Sequence, residues 1–476
     1  MTVGWRTALE GIMRRPASAM LIIVLLWAAA SLPNITLHSF VWEEGTNASV
    51  ARQILTGGDS FPPVIYGVRE IDKPYLLAWL IAAVAMMTGE VTEWSARIPA
   101  MISVLLTALL VRSVTARYAS WNASLFAGLA FLFSPMLLQK MSIAEPDTFV
   151  TFLSLCAFVF WWNGAEVNRV TIWRWVGCGC ILALLALLKG PMPVGFFAVG
   201  VAAYEVLNRR WSRLPGLLIC LAIPAVVTIA WGIGIYQPGD EQLWLLIHGL
   251  SSQPTLFAYL ARFLRQLLIL LIELIPAVLL LPFVPWPWRS SQTAAPVPPI
   301  VAPLILYSAL FAGIIVMSHK FNGRYAMPIT ATVAILGGIA WDSLAGEKTI
   351  RMRWFAGAIV ALLISYQLIL VCVIMPLFAD RFSASRLDGE AIERAIRTAP
   401  APAFCVDVVS NQLFYVRAPV RCIEHAELKS FTVPAWLLIP EGVIPQVMRL
   451  RPDLNLHSVV TTKSGPGLLA VRAEKR

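Results

Sequence analysis

About eleven apolar runs of bilayer-spanning length punctuate this chain, near residues 17–37, 97–116, 121–139, 148–163, 175–189, 191–207, 215–236, 263–284, 299–317, 325–345 and 354–378. In lipid, every backbone N–H and C=O must find a partner inside its own segment, so such runs are expected to be helices. Of the 476 residues, 58% are hydrophobic and 13% charged, and mean hydropathy is +0.73. That balance belongs to polytopic membrane proteins rather than soluble ones. The net charge of +10 is not a nucleic-acid footprint, because the basic residues fall mostly in short gaps beside the apolar runs. Arg14 and Arg15, Arg112 and Arg117, Arg169 and Arg174, Arg209, Arg210 and Arg213, Arg289, and Lys348, Arg351 and Arg353 occupy alternate gaps. Reading those gaps as cytoplasmic satisfies the positive-inside rule throughout. The first run follows Arg6–Arg15 with no small-residue cleavage site and soluble domain behind it, so it reads as an uncleaved first helix.

One apolar stretch is too short to span. Tyr75–Gly89 holds about fifteen residues, hence about 22 Å at helical rise against a core of roughly 30 Å. It reads as a helix lying along the interface, with Trp79 near the headgroups. Residues 38–96 then form the first outer loop, and Glu43, Asp72 and Asp147 share the outer face. The expected membrane part is 1–378. From about Asp380 the composition changes, and 379–476 reads as a small α/β domain outside the membrane. Leu387–Thr398 has the pattern of a short amphipathic helix. Ala403–Val409, Leu413–Val416 and Val420–Ile423 read as strands, with later ones around Ser458 and Leu468. Cys156, Cys178, Cys180, Cys220 and Cys372 lie in apolar runs as packing residues. Cys405 and Cys422 lie in the polar tail, where an oxidising compartment permits a disulfide.

Carboxylates near bilayer-spanning helices are rare and mark function by default. Glu43 and Glu44 follow the first span directly. Two neighbouring acids in a partly desolvated cavity repel, so one is expected to titrate above its usual range. Such a group can take a proton from an acceptor hydroxyl, hold an amine, or bind a divalent ion, the one cofactor this pattern leaves open. Asp72-Lys73-Pro74 sets an acid beside a cation, and Asp147 stands behind Pro146 at the mouth of a span, where a helix cap is its structural use. Cations gather on the same face. Lys189-Gly190-Pro191 breaks two apolar runs, and an intramembrane lysine needs a partner or an anionic ligand. Lys320, Arg324 and Tyr325 form another polar turn, and Arg52 and Arg69 lie in the first outer loop. Arginine grips phosphate by paired hydrogen bonds and lysine as a point charge. Acids beside cations at a membrane surface point to group transfer from a lipid-linked phosphate donor.

These stretches also resemble a family. Trp42-Glu-Glu-Gly-Thr with Ala51-Arg52-Gln, then Gly-Val-Arg-Glu-Ile-Asp72-Lys73-Pro74, is similar to the first outer loop of bacterial aminoarabinose transferases that modify lipid A. Those stand with protein O-mannosyltransferases among the C-type membrane glycosyltransferases. Arg97-Ile-Pro99, Asp147, Lys189-Gly190-Pro191 and Arg324-Tyr325-Ala-Met-Pro328 continue the resemblance in order over about the first 330 residues. Two departures stand out: Glu43 replaces a usual Asp, and Thr46-Asn47 replaces an Arg-Tyr that often follows. The resemblance implies a polytopic α-helical membrane protein of about 11 to 13 spans with a small C-terminal periplasmic α/β domain, in the bacterial inner membrane. It implies transfer of a sugar from a polyprenyl-phosphate donor to an envelope glycolipid such as lipid A or core oligosaccharide. Glu43, Glu44, Asp72 and Asp147 would be the acids of the site; Lys73, Lys189, Lys320, Arg324, Tyr325, Arg52 and Arg69 would serve the donor phosphate. The alternatives are a lipid or sugar transporter or flippase, a protein O-glycosyltransferase, or an inactive accessory protein. A transporter places its ionisable groups near mid-span, whereas here they cluster at outer ends.

Overall fold

The computed structural model describes residues 16–58, 61–71, 73–238, 256–285, 297–317, 323–344, 349–406, 410–424, 427–462 and 468–475. They fall into two compact units. One comprises the described parts of Met1–Leu32, Ala100–Ser142 and Pro146–Ile369; the other comprises those of Pro33–Pro99, Ile143–Glu145 and Leu370–Arg476.

Every apolar run found in the sequence is largely helical where it is described, but 17–37 leaves its helix after Ser31 and 121–139 divides into Trp121–Leu132 and Pro135–Lys140. Among the described residues, six helices are long and apolar enough to cross a membrane: Glu93–Thr115, Asp147–Ala165, Ile172–Lys189, Trp211–Ile235, Gly323–Ser343 and Ile350–Leu377. Ala17–Ser31, Trp121–Leu132, Met192–Leu207 and Val301–Met317 are shorter apolar helices, as is Leu76–Ala85 in the first loop. The run expected at 263–284 is not one straight rod. Tyr259–Glu273 and Ala277–Phe283 meet at 98°, and Pro276 at the break has no N–H to extend the helical ladder.

In the first unit, the helix Met327–Ser343 is the core element, buried at every position from Met327 to Ala340. Small residues let its neighbour approach. A side chain at Gly338 would meet Ala127 Cβ at 2.8 Å and the Ala123 carbonyl at 3.0 Å, a helix contact of the kind small residues permit in membranes. Phe158, Trp161, Tyr204 and Tyr307 pack as an aromatic cluster. By contrast, Leu218, Val226, Ile229 and Ile233 on the helix Leu214–Ile235 are exposed. A stripe of that kind is tolerable in hydrocarbon and not in water. The chain is a multi-pass membrane protein.

The second unit carries every strand among the described residues. In the first loop, Val64–Ile65 (β1) and Val68–Arg69 (β2) make a short antiparallel hairpin. The C-terminal segment contributes Ala403–Cys405 (β3), Val420–Cys422 (β4), Ala435–Pro440 (β5), Leu454–Thr461 (β6) and Leu468–Lys475 (β7), ordered β4-β3-β5-β7-β6. The pairs β3–β4 and β3–β5 are parallel, whereas β5–β7 and β6–β7 are antiparallel. One buried cluster gathers Leu437, Ile439, Val447 and Val471; a second gathers Ile392, Leu413, Trp436, Leu438 and Ala470. The alternate residues of β5 divide between the two clusters, so β5 is buried on both faces. The helix expected at 387–398 runs from Ala384 to Thr398. Leu413–Val416 is not a strand: Ser410–Leu413 is helical, and a turn follows in which Tyr415 and Val416 donate back to Gln412 and Leu413. Cys405 and Cys422, register partners on β3 and β4, form a disulfide.

Candidate active site

The helix Glu44–Leu55 lines one side of a cavity of about 320 Å³ with Thr46, Asn47 and Val50; Glu43 stands just ahead of it, and Glu70, Lys73, Pro74, Tyr75 and Ala78 complete the lining. Lys73 Nζ donates to Glu43 Oε2 at 2.5 Å, and both side chains are about a third exposed, 31% each. The pair is therefore reachable from solvent and its partners can be exchanged. Asn47 is fixed through its amide, which donates to the Ala144 carbonyl at 3.0 Å. The Tyr75 hydroxyl donates to the Glu70 carbonyl. Burial, with Glu70 nearby, pushes the Tyr75 phenol above its usual range, so it acts as a neutral donor. Thr46, Asn47, Glu70 and Tyr75 were not singled out from the sequence as site residues; the available signal was their place within the two motifs of the first loop.

Glu44 points elsewhere. Its carboxylate is fully buried and takes paired hydrogen bonds from Arg97, plus the N–H groups of Ala144 and Val41. Burial raises its pKa, but the Arg97 charge and hydrogen bonds outweigh that and hold the carboxyl below its usual range. For Glu44 the expected upward shift of a repelled acid is thus reversed. Arg52 is also engaged away from the cavity lining: Nη1 donates to the Phe414 carbonyl at 2.9 Å, and the guanidinium lies 3.7 Å from the Phe414 ring centroid. Arg69 closes β2 opposite Val64.

In the first unit, Lys189 has a partner. Lys189 Nζ donates to Asp147 Oδ1 and stands 4.3 Å from the centroid of the Tyr325 ring. Arg324 lies 5.7 Å from the same ring. Asp147 opens the helix Asp147–Ala165 without making a side-chain cap bond, so it is not the cap that its position behind Pro146 allowed. Its second oxygen, Oδ2, is buried with no hydrogen-bond partner, as fits a carboxylate held ready for a donor. Asp72 and Lys320 lie outside the described residues. Among the described residues, no group of three or more His, Cys, Asp or Glu could hold a metal ion.

A family model described as dolichyl-phosphate-mannose-protein mannosyltransferase matches residues 72–233. The undecaprenyl phosphate-alpha-4-amino-4-deoxy-L-arabinose arabinosyl transferase of Edwardsiella ictaluri (strain 93-146) is 26% identical over 362 residues, 72% of this chain and 62% of that protein. The chain thus spans less than two thirds of that curated relative. The crystal structure of ArnT from Cupriavidus metallidurans in the apo state aligns over 98% of both chains, with TM-score 0.68 and 16% identity. The structure of the same protein bound to undecaprenyl phosphate gives TM-score 0.68 at 15% identity, covering 99% of this chain and 98% of that one. At such identity the likeness is one of fold. The fold and the pocket define a polytopic membrane protein with ionisable groups gathered in a cavity of the 38–96 segment and at helix ends. In part of its sequence and in its fold, the chain is similar to C-type membrane glycosyltransferases.

Proposed function

We propose that this protein transfers a sugar from a polyprenyl-phosphate carrier to an acceptor on the outer side of the bacterial inner membrane, and that the acceptor is an envelope glycolipid such as lipid A or core oligosaccharide. About eleven spans, an interfacial helix at Leu76–Ala85 and a periplasmic position for residues 379–476 belong to the same proposal. The observation that carries it is the Glu43–Lys73 pair in a solvent-reachable cavity. A carrier phosphate competes with Glu43 for Lys73, and its arrival leaves Glu43 free to accept a proton. The acceptor hydroxyl oxygen then bonds to the anomeric carbon, and the carbon–oxygen bond to the phosphate breaks. The hydroxyl proton passes to the Glu43 carboxylate, and polyprenyl phosphate leaves with the bonding electrons. In the first unit, Lys189, Arg324 and Tyr325 form a cationic group suited to a phosphate, with Asp147 holding Lys189 in place. Glu44, being spent on Arg97, and Arg52, being seated on Phe414, support the loop that carries Glu43. The carrier is consistent with the undecaprenyl phosphate bound by ArnT.

Mass spectrometry of envelope lipids tests this reading. Cells lacking the protein should lose one glycosylated lipid species, and the wild-type gene but not a Glu43→Gln copy should restore it. An unchanged lipid profile in the deletion strain, with the missing mass appearing instead on proteins, would favour protein O-glycosylation. No change in either fraction would refute the proposal.

A further inference from the structure

Tyr66 stands where a tyrosine is unfavourable. It is the first of the two residues joining β1 to β2, with φ +53, and Gly67 follows with φ +83. Consecutive positive φ values belong to a hairpin turn that glycine and asparagine normally supply. A bulky aromatic residue persists there only when its surroundings hold it, and such outliers concentrate at functional sites. Gly67 is itself confined, because a Cβ there would come within 3.0 Å of Arg421 Cγ on β4.

The surroundings are specific. The Tyr66 carbonyl accepts the Cys422 N–H at 2.6 Å, and Cys422 is bridged to Cys405 between β4 and β3. The Tyr66 side chain packs against the buried cluster of Leu413 and Trp436. Its hydroxyl lies 3.0 Å from Ser49 Oγ, on the helix that presents Thr46, Asn47 and Val50 to the cavity. From the same turn, β2 runs directly into Glu70, whose N–H donates to Pro63 and whose carbonyl receives the Tyr75 hydroxyl. One residue therefore touches the disulfide-closed sheet edge, the helix behind one cavity wall and the hairpin leading into the other.

We propose that Tyr66 is a positioning residue for the cavity, and that the Cys405–Cys422 bridge acts through it to set the separation of the two walls. Opening that separation moves Lys73 away from Glu43 and weakens the hold on whatever occupies the cavity. Only the identity of the occupant, the sugar-bearing substrate, rests on the function proposed above.

The test uses the full chain in lipid nanodiscs, comparing wild type with Tyr66→Phe and with the Cys405→Ser/Cys422→Ser double variant. Amide hydrogen exchange is followed in segments 44–52 and 68–78, beside KM and kcat for sugar transfer. Tyr66→Phe should speed exchange in both segments with an unchanged melting temperature. It should raise KM about threefold to tenfold, the scale of one lost hydrogen bond. The double variant should do the same or more. Wild-type exchange in Tyr66→Phe, or faster exchange with KM unmoved in an active enzyme, would overturn the proposal. Should the double variant fail to fold, Tyr66→Phe decides alone. If wild type transfers no sugar from any donor, the proposed function falls, and the exchange measurement still decides whether Tyr66 positions the walls.

Discussion

Arg97 and Glu44 face each other fork to fork, Nε to Oε1 and Nη2 to Oε2, each at 2.8 Å, with both side chains fully buried. Arg97 also donates to the carbonyls of Ile35 and His38, so one guanidinium ties the chain leaving the first helix to the start of the helix that carries the cavity. A buried pair of this kind is weak evidence of net stability, but halving it leaves an uncompensated charge. Glu44→Gln or Arg97→Met should therefore destabilise the second unit by about 3–5 kcal/mol. Thermal unfolding in detergent reads this directly, and a melting temperature equal to wild type would exclude the structural role.

His38 adds a pH dependence. Its ring is buried, with Arg97 Nη2 2.9 Å from Nδ1. Burial first, and the Arg97 charge second, lower its pKa to about 4 from 6.5. A depressed histidine stabilises the fold while neutral. That contribution is complete above pH 6.5 and lost as pH falls toward 4, up to about 3 kcal/mol in all. Melting temperature should fall over that window in wild type, and the slope should flatten in His38→Gln. Equal slopes would contradict it.

Gly338 sets the closeness of two helices in the first unit. Gly338→Val drives a side chain into Ala127 and the Ala123 carbonyl, which stand within 2.8 and 3.0 Å of its Cβ. Overpacking of this size costs about 1–3 kcal/mol. The variant should unfold at lower temperature, while Gly357→Ala, where the nearest atom is Trp341 Cη2 at 3.6 Å, should not.

Arg52 was a phosphate candidate on residue type, yet its guanidinium is seated on Phe414. Arg52→Gln should lower stability by about 1–2 kcal/mol through the lost hydrogen bond and ring contact. Donor KM should stay within about twofold of wild type. A tenfold rise in donor KM with normal stability would return Arg52 to the phosphate site.

Much of the architecture is readable from apolar periodicity, because helices in lipid must be long, oily and internally bonded. The same rule hid the bend at Pro276, where one apolar run holds two helices. β5 escaped notice because Ala435–Pro440 is buried on both faces and shows no alternation. Leu413–Val416 looked like a strand on composition alone, but its backbone bonds close locally into turns. That Lys189 needs a partner or an anionic ligand followed from the cost of a bare intramembrane charge, but the choice of Asp147 did not. What composition could not separate was Glu43 from Glu44. Adjacent residues at a helix start face different ways, and only three-dimensional contact shows that Arg97 occupies one while Lys73 leaves the other accessible.

The most direct measurement is sugar release in vesicles holding purified protein, a polyprenyl-phosphate sugar donor and lipid A. Wild type should form free polyprenyl phosphate and glycosylated lipid in equal amounts. Glu43→Gln, folded, should lower the rate by at least about a hundredfold, the usual size of a general-base contribution, and Asp147→Asn, which loosens Lys189, should raise donor KM. Full turnover in Glu43→Gln would contradict the assignment of this acid to the reaction.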